Sequence, residues 1–380
     1  MIRPVGDIGK NLVRAQFGKN TSTRFGDGST SRGTIPPFWG SIIFDIPLHV
    51  VCVDVLAPKL AAIFEREIPG GRFQSPAGES ASELFDLVAG ADVLLTRGGA
   101  IGADLIERGR GRLKLAHVLG RYPIQVDLGA ARGAGITVAT MPHGGAMAVA
   151  DHTMALLLAV ARKIVPGHLG VANGAYEALG REPQPSSEWS FAFNWLGFPD
   201  VVEIHGKTLG LIGFGEIGME VARRARGFDM EVLYHRRRRL SEVWEEKLGV
   251  RFAPLEALLA SSDVVSLHAP HTTATEKLLN ADHLARLKPT AILVNTSRGA
   301  LVDEDALAAA LAEGRLAGAG LDVFVQEPLP KSHPFVRLDN VVLAPHTGGG
   351  SGGGQRRLIG QVLDNVARFA RGQEPKNIVE

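Results

Sequence analysis

Residues 208–218 read TLGLIGFGEIG, a short apolar run that passes directly into three glycines at Gly-x-Gly-x-x-Gly spacing. A strand followed by this motif and then by a helix forms the turn that holds the pyrophosphate of a dinucleotide. The glycines allow a tight turn and let the phosphates approach the free N–H groups of the helix N-terminus. In a chain with 46 glycines the motif alone is weak, but its place after a strand strengthens it. We predict cofactor contacts from Gly213, Gly215, Glu216, Ile217 and Gly218.

The alternation of apolar strands and longer helices continues on both sides of this turn. After it, strands are predicted at 231–234, 263–267, 291–295, 317–323 and 341–343, with a helix over 303–313. Before it, apolar runs at 50–55, 92–96, 114–119 and 136–139 predict a second set of strands. Short β-branched runs alternating with helices are typical of parallel sheets covered by helices. The predicted fold class is α/β, with two Rossmann-like doubly wound parallel-sheet domains and an active-site cleft between them.

Several further segments divide the chain. Residues 1–45, rich in Gly, Ser, Thr and Arg, are interpreted as a poorly ordered or arm-like extension. An apolar helix over 149–164 bridges the two sets of strands, and the polar segment 173–206 is predicted to pack on a partner subunit or over the site. The glycine run 348–354 is interpreted as a hinge before a last helix at 355–370. We predict a discontinuous substrate domain, 46–147 plus 346–380, and a dinucleotide-binding domain, 148–345.

Composition restricts the classes of partner. Lys and Arg number 41 and Asp and Glu number 40, so the net charge of +1 offers no field that would attract nucleic acid or an anionic membrane. The one cysteine, Cys52, lies in an apolar run, as is typical of a buried thiol in a reducing compartment. The longest apolar stretch, 154–161, is shorter than the roughly 20 residues of a spanning helix. We expect a cytoplasmic protein with a small-molecule partner and no metal site.

An arginine run follows the second strand after the glycine turn. There the sequence reads YHRRRR at 234–239, where an NAD-binding protein usually carries an acid for the ribose hydroxyls. Guanidinium groups at this place pair with the 2′-phosphate of NADP, although a solvated charge patch is the alternative. We favour NADP(H), with NAD(H) possible, and expect the contacts from Arg236 and Arg237.

Three short motifs contain residues suited to catalysis. They are NTSRG at 295–299, DVFVQEP at 322–328 and PHT at 345–347, and each stands at the end of a predicted strand. Open α/β sheets bind ligands at this edge. Reduction of a 2-oxo acid needs a cation for the carboxylate (Arg298), a proton donor (His346) and a carboxylate that orients the imidazole (Glu327). Taken singly, each has a structural alternative: a loop cap, a packed core histidine or a surface ion pair.

With these motifs the chain resembles the D-isomer-specific 2-hydroxyacid dehydrogenases, a family that includes glyoxylate, hydroxypyruvate and phosphoglycerate dehydrogenases. The likeness runs from about residue 48 to the end. It implies interconversion of a small 2-oxo acid, of the glyoxylate or hydroxypyruvate kind, and a D-2-hydroxy acid with NAD(P)H. The residues it implies are catalytic Arg298, Glu327 and His346, and cofactor contacts by Pro270, Thr275, Thr296 and Asp322, the last at the nicotinamide.

The resemblance also implies a substrate loop and a homodimer. Residues 96–100 read TRGGA, so the N–H groups of Gly98 and Gly99 are expected to meet the substrate carboxylate, with added charge from Arg97. The usual Gly-x-Gly-x-Asp stretch is altered to GRYPIQVD at 120–127, which leaves the substrate's size open. The family's NAD-sensing corepressors represent the alternative function, and oxidation of formate or phosphite is a third. Formate dehydrogenases carry Gln at the position of Glu327, which argues against formate.

Overall fold

The computed structural model describes residues 48–56, 58–68, 71–78, 80–142, 144–189, 193–349 and 354–379. The predicted extension, 1–45, and part of the predicted glycine hinge, 350–353, lie outside these residues. Within them the chain forms two parallel β-sheets, one of five strands and one of seven. The predicted α/β class with two parallel-sheet domains is therefore confirmed.

The first sheet is built from residues 49–140. Its strands are β1 (His49–Cys52), β2 (Arg72–Gln74), β3 (Val93–Thr96), β4 (Leu115–Val118) and β5 (Thr137–Thr140), and its helices are α1 (Pro58–Glu67), α2 (Ala81–Val88), α3 (Ala103–Arg108) and α4 (Leu128–Gly133). The strand order is β2-β1-β3-β4-β5. β1, β3 and β4 are buried along their whole length because helices cover both faces, which is why they read as apolar runs. The short β2, with only Phe73 fully buried, was not predicted.

A long helix, α5 (Gly144–Ala161), connects the two sheets. Among the helices that the structure describes, it alone is long and apolar enough to cross a membrane by length and composition, and half of it is buried inside the protein. Its Met154, Leu157 and Val160 belong to the core of the second sheet, so that core accounts for its hydrophobicity. Two helices, α6 (Ile164–Ala172) and α7 (Ala175–Ala178), follow and bury no side chain.

The second sheet carries the glycine turn. Its strands are β6 (Thr208–Ile212), β7 (Glu231–His235), β8 (Arg251–Phe252), β9 (Val264–Leu267), β10 (Ile292–Asn295), β11 (Gly318–Leu321) and β12 (Val341–Leu343), and its helices are α8 (Glu216–Arg226), α9 (Glu242–Leu248), α10 (Leu255–Ser261), α11 (Ala281–Leu284) and α12 (Glu304–Ala312). The order β12-β11-β10-β9-β6-β7-β8 is that of a dinucleotide-binding sheet extended by one strand. Because the winding reverses between β6 and β9, a ligand crevice is expected at their carboxyl ends.

The last helix, α13 (Gly354–Ala370), returns the chain to the first sheet. Val362, Leu363 and Val366 are buried in the same core cluster as β1 and β3. Beyond the helix the Val379 N–H donates to the Val138 carbonyl oxygen at 2.8 Å, so the chain end lies along β5. The first sheet is therefore completed by residues that follow the whole second sheet in sequence.

Candidate active site

The turn between β6 and α8 has a shape that its three glycines allow. Gly213 has a φ of +88°, and a Cβ atom on it would lie 2.4 Å from the backbone nitrogen of Ala269. A Cβ on Gly218 would lie 2.7 Å from the carbonyl oxygen of Gly213, whereas Gly215 faces open space. Gly215 is the N-cap of α8 and gives the helix no side-chain hydrogen bond. The first N–H groups of α8 can thus bind an anion, and the turn fits a dinucleotide pyrophosphate.

The other predicted contacts near this turn lie on α8 and on the loop after β9. Glu216 and Ile217 form the first turn of α8 and are half-buried. The Thr275 hydroxyl donates to the Pro270 carbonyl oxygen at 2.8 Å and accepts the Thr272 N–H at 2.8 Å. These bonds close the loop on itself, so Thr275 shapes the segment that carries Pro270.

The four arginines after β7 do not share one environment. Arg236 is half-buried and donates from Nη1 to the carbonyl oxygen of Phe214, within the glycine turn, at 3.3 Å. Burial and the charges of Arg237 and Arg238 lower the pKa of Arg236. Arg237 and Arg238 are exposed, and neither has a hydrogen bond or ion pair within the described part of the chain. A bound anion would relieve the repulsion among these three cations.

Arg239 is held apart from the other three by Glu245 of α9. Its Nε and Nη2 lie 2.8 and 2.7 Å from the two carboxylate oxygens of Glu245. The buried Tyr234 hydroxyl donates to Glu245 at 2.6 Å and accepts the Leu240 N–H at 2.9 Å. Burial and the hydrogen bond to Glu245 raise the pKa of Tyr234 to about 12, so the hydroxyl remains a donor. This arrangement anchors the end of the loop that presents residues 236–238.

Two of the predicted catalytic residues, Glu327 and His346, are hydrogen-bonded to each other. His346, three residues beyond β12, has a left-handed φ of +54°, and its Nδ1 lies 2.6 Å from Glu327 Oε2. The other carboxylate oxygen accepts the Phe324 N–H at 3.0 Å. The hydrogen bond with His346, helped by that N–H and by the charge of Arg298, holds the pKa of Glu327 below its usual value. The side chain of Glu327 is 36% exposed and that of His346 is 47% exposed, so a substrate can reach both.

The loop that carries Arg298 lies against the loop that leads to Glu327 because a glycine follows Arg298, whose Nη1 donates to the carbonyl oxygen of Ser297 at 2.5 Å. A Cβ on Gly299 would lie 2.1 Å from the carbonyl carbon of Phe324, so the loop after β10 touches the glutamate-bearing loop backbone to backbone. The Arg298 side chain itself is exposed. Thr296, in the same loop, is buried, and its hydroxyl lies 2.9 Å from that of Thr153 on α5. The loop after β10 is therefore fixed both to α5 and to the loop that carries Glu327.

Asp322, buried at the end of β11, fastens the chain just after His346. Its two oxygens accept the N–H groups of Thr347 and Gly348, each at 2.9 Å. His152 Nε2 of α5 lies 3.1 Å from the same carboxylate, without hydrogen-bond alignment. The carboxylate that was expected at the nicotinamide thus also helps to position the histidine.

The predicted substrate loop after β3 is bonded to an acid that sequence reasoning missed. Asp54, two residues beyond β1, accepts the N–H groups of Arg97, Gly98 and Gly99 at 2.6, 3.0 and 2.8 Å. The Gly98 and Gly99 N–H groups that were expected to meet the substrate carboxylate therefore donate to Asp54 in this structure. The sequence signal was limited to an acid just beyond a predicted strand, and only the pairing of β1 with β3 brings that acid to the loop after β3. Among the described residues no hydrogen bond or ion pair joins this loop to the three predicted catalytic residues.

A cavity of about 540 Å³ lies against His346 and Glu327. Apart from that pair, its lining is apolar and comes from the end of β12 and the loops that carry the pair: Phe324, Pro328, Leu329, Leu343, Ala344 and Pro345. A largely apolar cavity with a few polar groups on one wall is typical of a small-molecule site. The arrangement can therefore bind the carbon skeleton of a small substrate next to an acid-base group.

Comparison with known proteins identifies the relatives of this chain. Residues 154–348 match the family described as D-isomer specific 2-hydroxyacid dehydrogenase, NAD binding domain. A glyoxylate reductase of Korarchaeum cryptofilum is 43% identical over 257 residues, which is 67% of this chain and 72% of the relative. A glyoxylate reductase of Pyrococcus furiosus is 39% identical over 317 residues, 83% of this chain and 87% of the relative. The crystal structure of a glyoxylate reductase from Paecilomyes thermophila is 26% identical, has a TM-score of 0.50 and aligns over 88% of this chain and 99% of its own. The chain belongs to the D-isomer-specific 2-hydroxyacid dehydrogenase family.

Proposed function

We propose that this chain is a nicotinamide-dependent oxidoreductase that reduces a small 2-oxo acid to the corresponding D-2-hydroxy acid. The observation that carries the proposal is the 2.6 Å bond between His346 Nδ1 and Glu327 Oε2, on the sheet that also bears the glycine turn at 213–218. The similarity to glyoxylate reductases, over 83% of this chain for the one from P. furiosus, supports a substrate of that class.

Each catalytic residue has one role in this proposal. Glu327 stays ionised, stabilises the imidazolium and leaves Nε2 as the nitrogen that carries the transferable proton. His346 gives this proton to the carbonyl oxygen of the substrate. Arg298 pairs with the substrate carboxylate and polarises the carbonyl group. A reduced nicotinamide, when bound, supplies the hydride.

We propose that Arg97, Gly98 and Gly99 border the substrate from the first sheet. Their N–H groups are bonded to Asp54, which holds the loop in one conformation. A loop preorganised in this way costs less ordering on binding. The side chain of Arg97 is exposed and adds a second cation for an anionic substrate.

We propose NADP(H) as the preferred cofactor and NAD(H) as the weaker one. No acid stands at the end of β7, and the exposed Arg237 beside the half-buried Arg236 suits a 2′-phosphate. Glu245 of α9, which holds the end of the arginine loop, is paired with Arg239. The remaining cofactor contacts are proposed on loops at the carboxyl ends of β9, β10 and β11, at Pro270, Thr275, Thr296 and Asp322.

The domain division and assembly follow from the same proposal. We assign residues 46–147 plus 346–380 to the substrate domain and 148–345 to the dinucleotide-binding domain, which the packing of α13 on the first sheet supports.

A homodimer is proposed through the segment that includes α6, whose Ile164, Leu169 and Val171 are about half exposed. The buried, unpaired Cys52 suits a cytoplasmic location. Size-exclusion chromatography with light scattering tests the dimer.

A spectrophotometric screen tests the reaction directly. Loss of NADPH or NADH is followed with glyoxylate, hydroxypyruvate and phenylpyruvate. We expect turnover that His346→Ala largely abolishes, while Arg298→Ala lowers kcat and raises KM. His333→Ala is the matched control, because His333 also faces a carboxylate, Glu304, at 3.5 Å but lies outside the proposed site. Tight dinucleotide binding without turnover would instead favour a sensor, and near-normal turnover in both variants would remove the mechanism.

A further inference from the structure

The loop that follows β4, residues 120–125, reaches from the first sheet to the second. It is the stretch in which this sequence departs from the family's Gly-x-Gly-x-Asp pattern, with Tyr122 in place of glycine and Ile124 in place of aspartate. Arg121 Nε in this loop donates to Glu220 Oε1 of α8 at 2.5 Å. The altered loop therefore makes an ion pair between the two domains, on the helix that begins at the glycine turn.

Glu220 is the centre of a buried charge cluster. Only 1% of it is exposed, and its other oxygen lies 3.0 Å from Arg223 Nη2 and 2.7 Å from Arg224 Nη1. Burial would raise the pKa of Glu220, but hydrogen bonds from Arg121, Arg224 and Arg223 lower it, so the carboxylate is charged at neutral pH. Arg223 and Arg224 belong to α8 itself, and Arg224 also bonds Asp151 of α5 at 2.6 Å. In this cluster only Arg121 comes from the first sheet.

Three neighbours of Arg121 strengthen this contact. The Tyr122 ring meets Trp244 of α9 edge-on, with centroids 6.2 Å apart. Tyr122 and Ile124 both pack against the core of the second sheet. A Cβ on Gly120 would lie 3.8 Å from Glu216 Cδ, which places the loop beside the first turn of α8. The loop 120–125 therefore lies beside the side chain of Glu216, which begins the helix whose N-terminus is proposed to bind the pyrophosphate.

We propose that Arg121 is a positioning residue that limits how fast the dinucleotide leaves the enzyme. While its bond to Glu220 holds, the loop after β4 stays against α8, and a dinucleotide bound at the glycine turn leaves only after the two domains separate. Arg121 acts through Glu220 and the domain contact and needs no contact with the cofactor. The inference rests on the dinucleotide site of the proposed function and does not depend on which 2-oxo acid is reduced.

Two variants separate the domain contact from the charge of Glu220. Arg121→Gln and Arg223→Gln each remove one guanidinium from the same carboxylate, but only the first breaks a contact between domains. Stopped-flow displacement of bound NADPH or NADH, followed by fluorescence, measures dissociation without turnover. We expect Arg121→Gln to release the cofactor about tenfold faster, equivalent to ~1.4 kcal/mol, near the lower end for a hydrogen bond to a charged group. Its KM for the cofactor should rise while kcat does not fall, and Arg121→Lys, which keeps the charge, should restore slower release.

Arg223→Gln is expected to leave release and turnover within about twofold of wild type, because its loss leaves the domain contact intact. Tyr122→Leu, which removes the ring contact with Trp244 and no charge, gives a second measurement with the same expected direction as Arg121→Gln. Thermal unfolding checks that each variant is folded.

Wild-type release in folded Arg121→Gln and Tyr122→Leu would overturn the proposal. Equal acceleration by Arg223→Gln would also overturn it, since the charge on Glu220 would then be responsible. Failure of the proposed reductase function would give a different result: the wild type would show no turnover, while the rate of cofactor dissociation could still be measured.

Discussion

Gly299→Ala tests whether the guanidinium, carboxylate and imidazole act as one site, because Gly299 has no side chain that could touch a substrate. A Cβ atom at this position would lie 2.1 Å from the carbonyl carbon of Phe324 and 2.3 Å from the nitrogen of Val325. Ordinary contacts begin at 3.4 Å, and both neighbours are backbone atoms that cannot rotate away. The loop that carries Arg298 must therefore move away from the Phe324 loop by about 1 Å.

This displacement predicts a large kinetic effect and a moderate loss of stability. Misplacing a positioned catalytic group by about 1 Å costs on the order of 100-fold in rate, so kcat/KM should fall by that order. Overpacking of this kind should lower the free energy of unfolding by ~1–3 kcal/mol. Steady-state kinetics with glyoxylate and urea unfolding measure the two quantities. Gly78→Ala is the control, because a Cβ there meets nothing within 4 Å and should change neither. A kcat/KM within about threefold of wild type would show that the Arg298 loop need not be held against its neighbour.

Four further substitutions address single contacts. Gly215→Ala places a Cβ in open space, so the free energy of unfolding should change by less than about 0.5 kcal/mol. Fluorescence titration should nevertheless show weaker cofactor binding, and an unchanged affinity would show that the pyrophosphate does not bind at this turn. Glu327→Gln should lower kcat by roughly tenfold or more through the lost charged bond to His346. Because the pKa of Glu327 is held below its usual value, the activity that this bond supports in the wild type is present at neutral pH and is lost only as the pH falls through that lowered pKa, and a pH–rate profile of the variant should lack that loss. Asp54→Asn should raise KM for the 2-oxo acid, since weaker bonds leave the loop after β3 less ordered; a lower KM would mean that Asp54 competes with the substrate carboxylate. Arg237→Gln should raise KM for NADPH about tenfold and leave KM for NADH unchanged, whereas equal effects on both would identify a solvated patch.

Most strands could be predicted from the chain because they are buried on both faces and therefore read as continuous apolar runs. β6 and β12 occur over the same residues as predicted, and β1, β3, β4 and β5 occur within one to three residues of the prediction. β2 and β8 were missed because each contains a single apolar residue, in RFQ and RF, whereas the equally short edge strand β12 reads VVL and was predicted. α5 begins five residues earlier than predicted, at Gly144, since glycine is a poor guide to where a helix starts.

The sequence by itself determined features formed by neighbouring residues and their order along the chain. They are the glycine turn that begins α8, the arginine run after β7, and the three motifs at strand ends that identify the family. These features depend on neighbouring residues and on strand ends that meet at one edge of a parallel sheet. The tertiary structure alone decided which distant groups meet. Asp54 binds the N–H groups of residues 97–99 because β1 pairs with β3, and Arg121 reaches Glu220, 99 positions away, because the loop after β4 packs beside α8. No local period encodes such a contact, since it depends on strand order and domain packing, which are set only when the whole core is assembled.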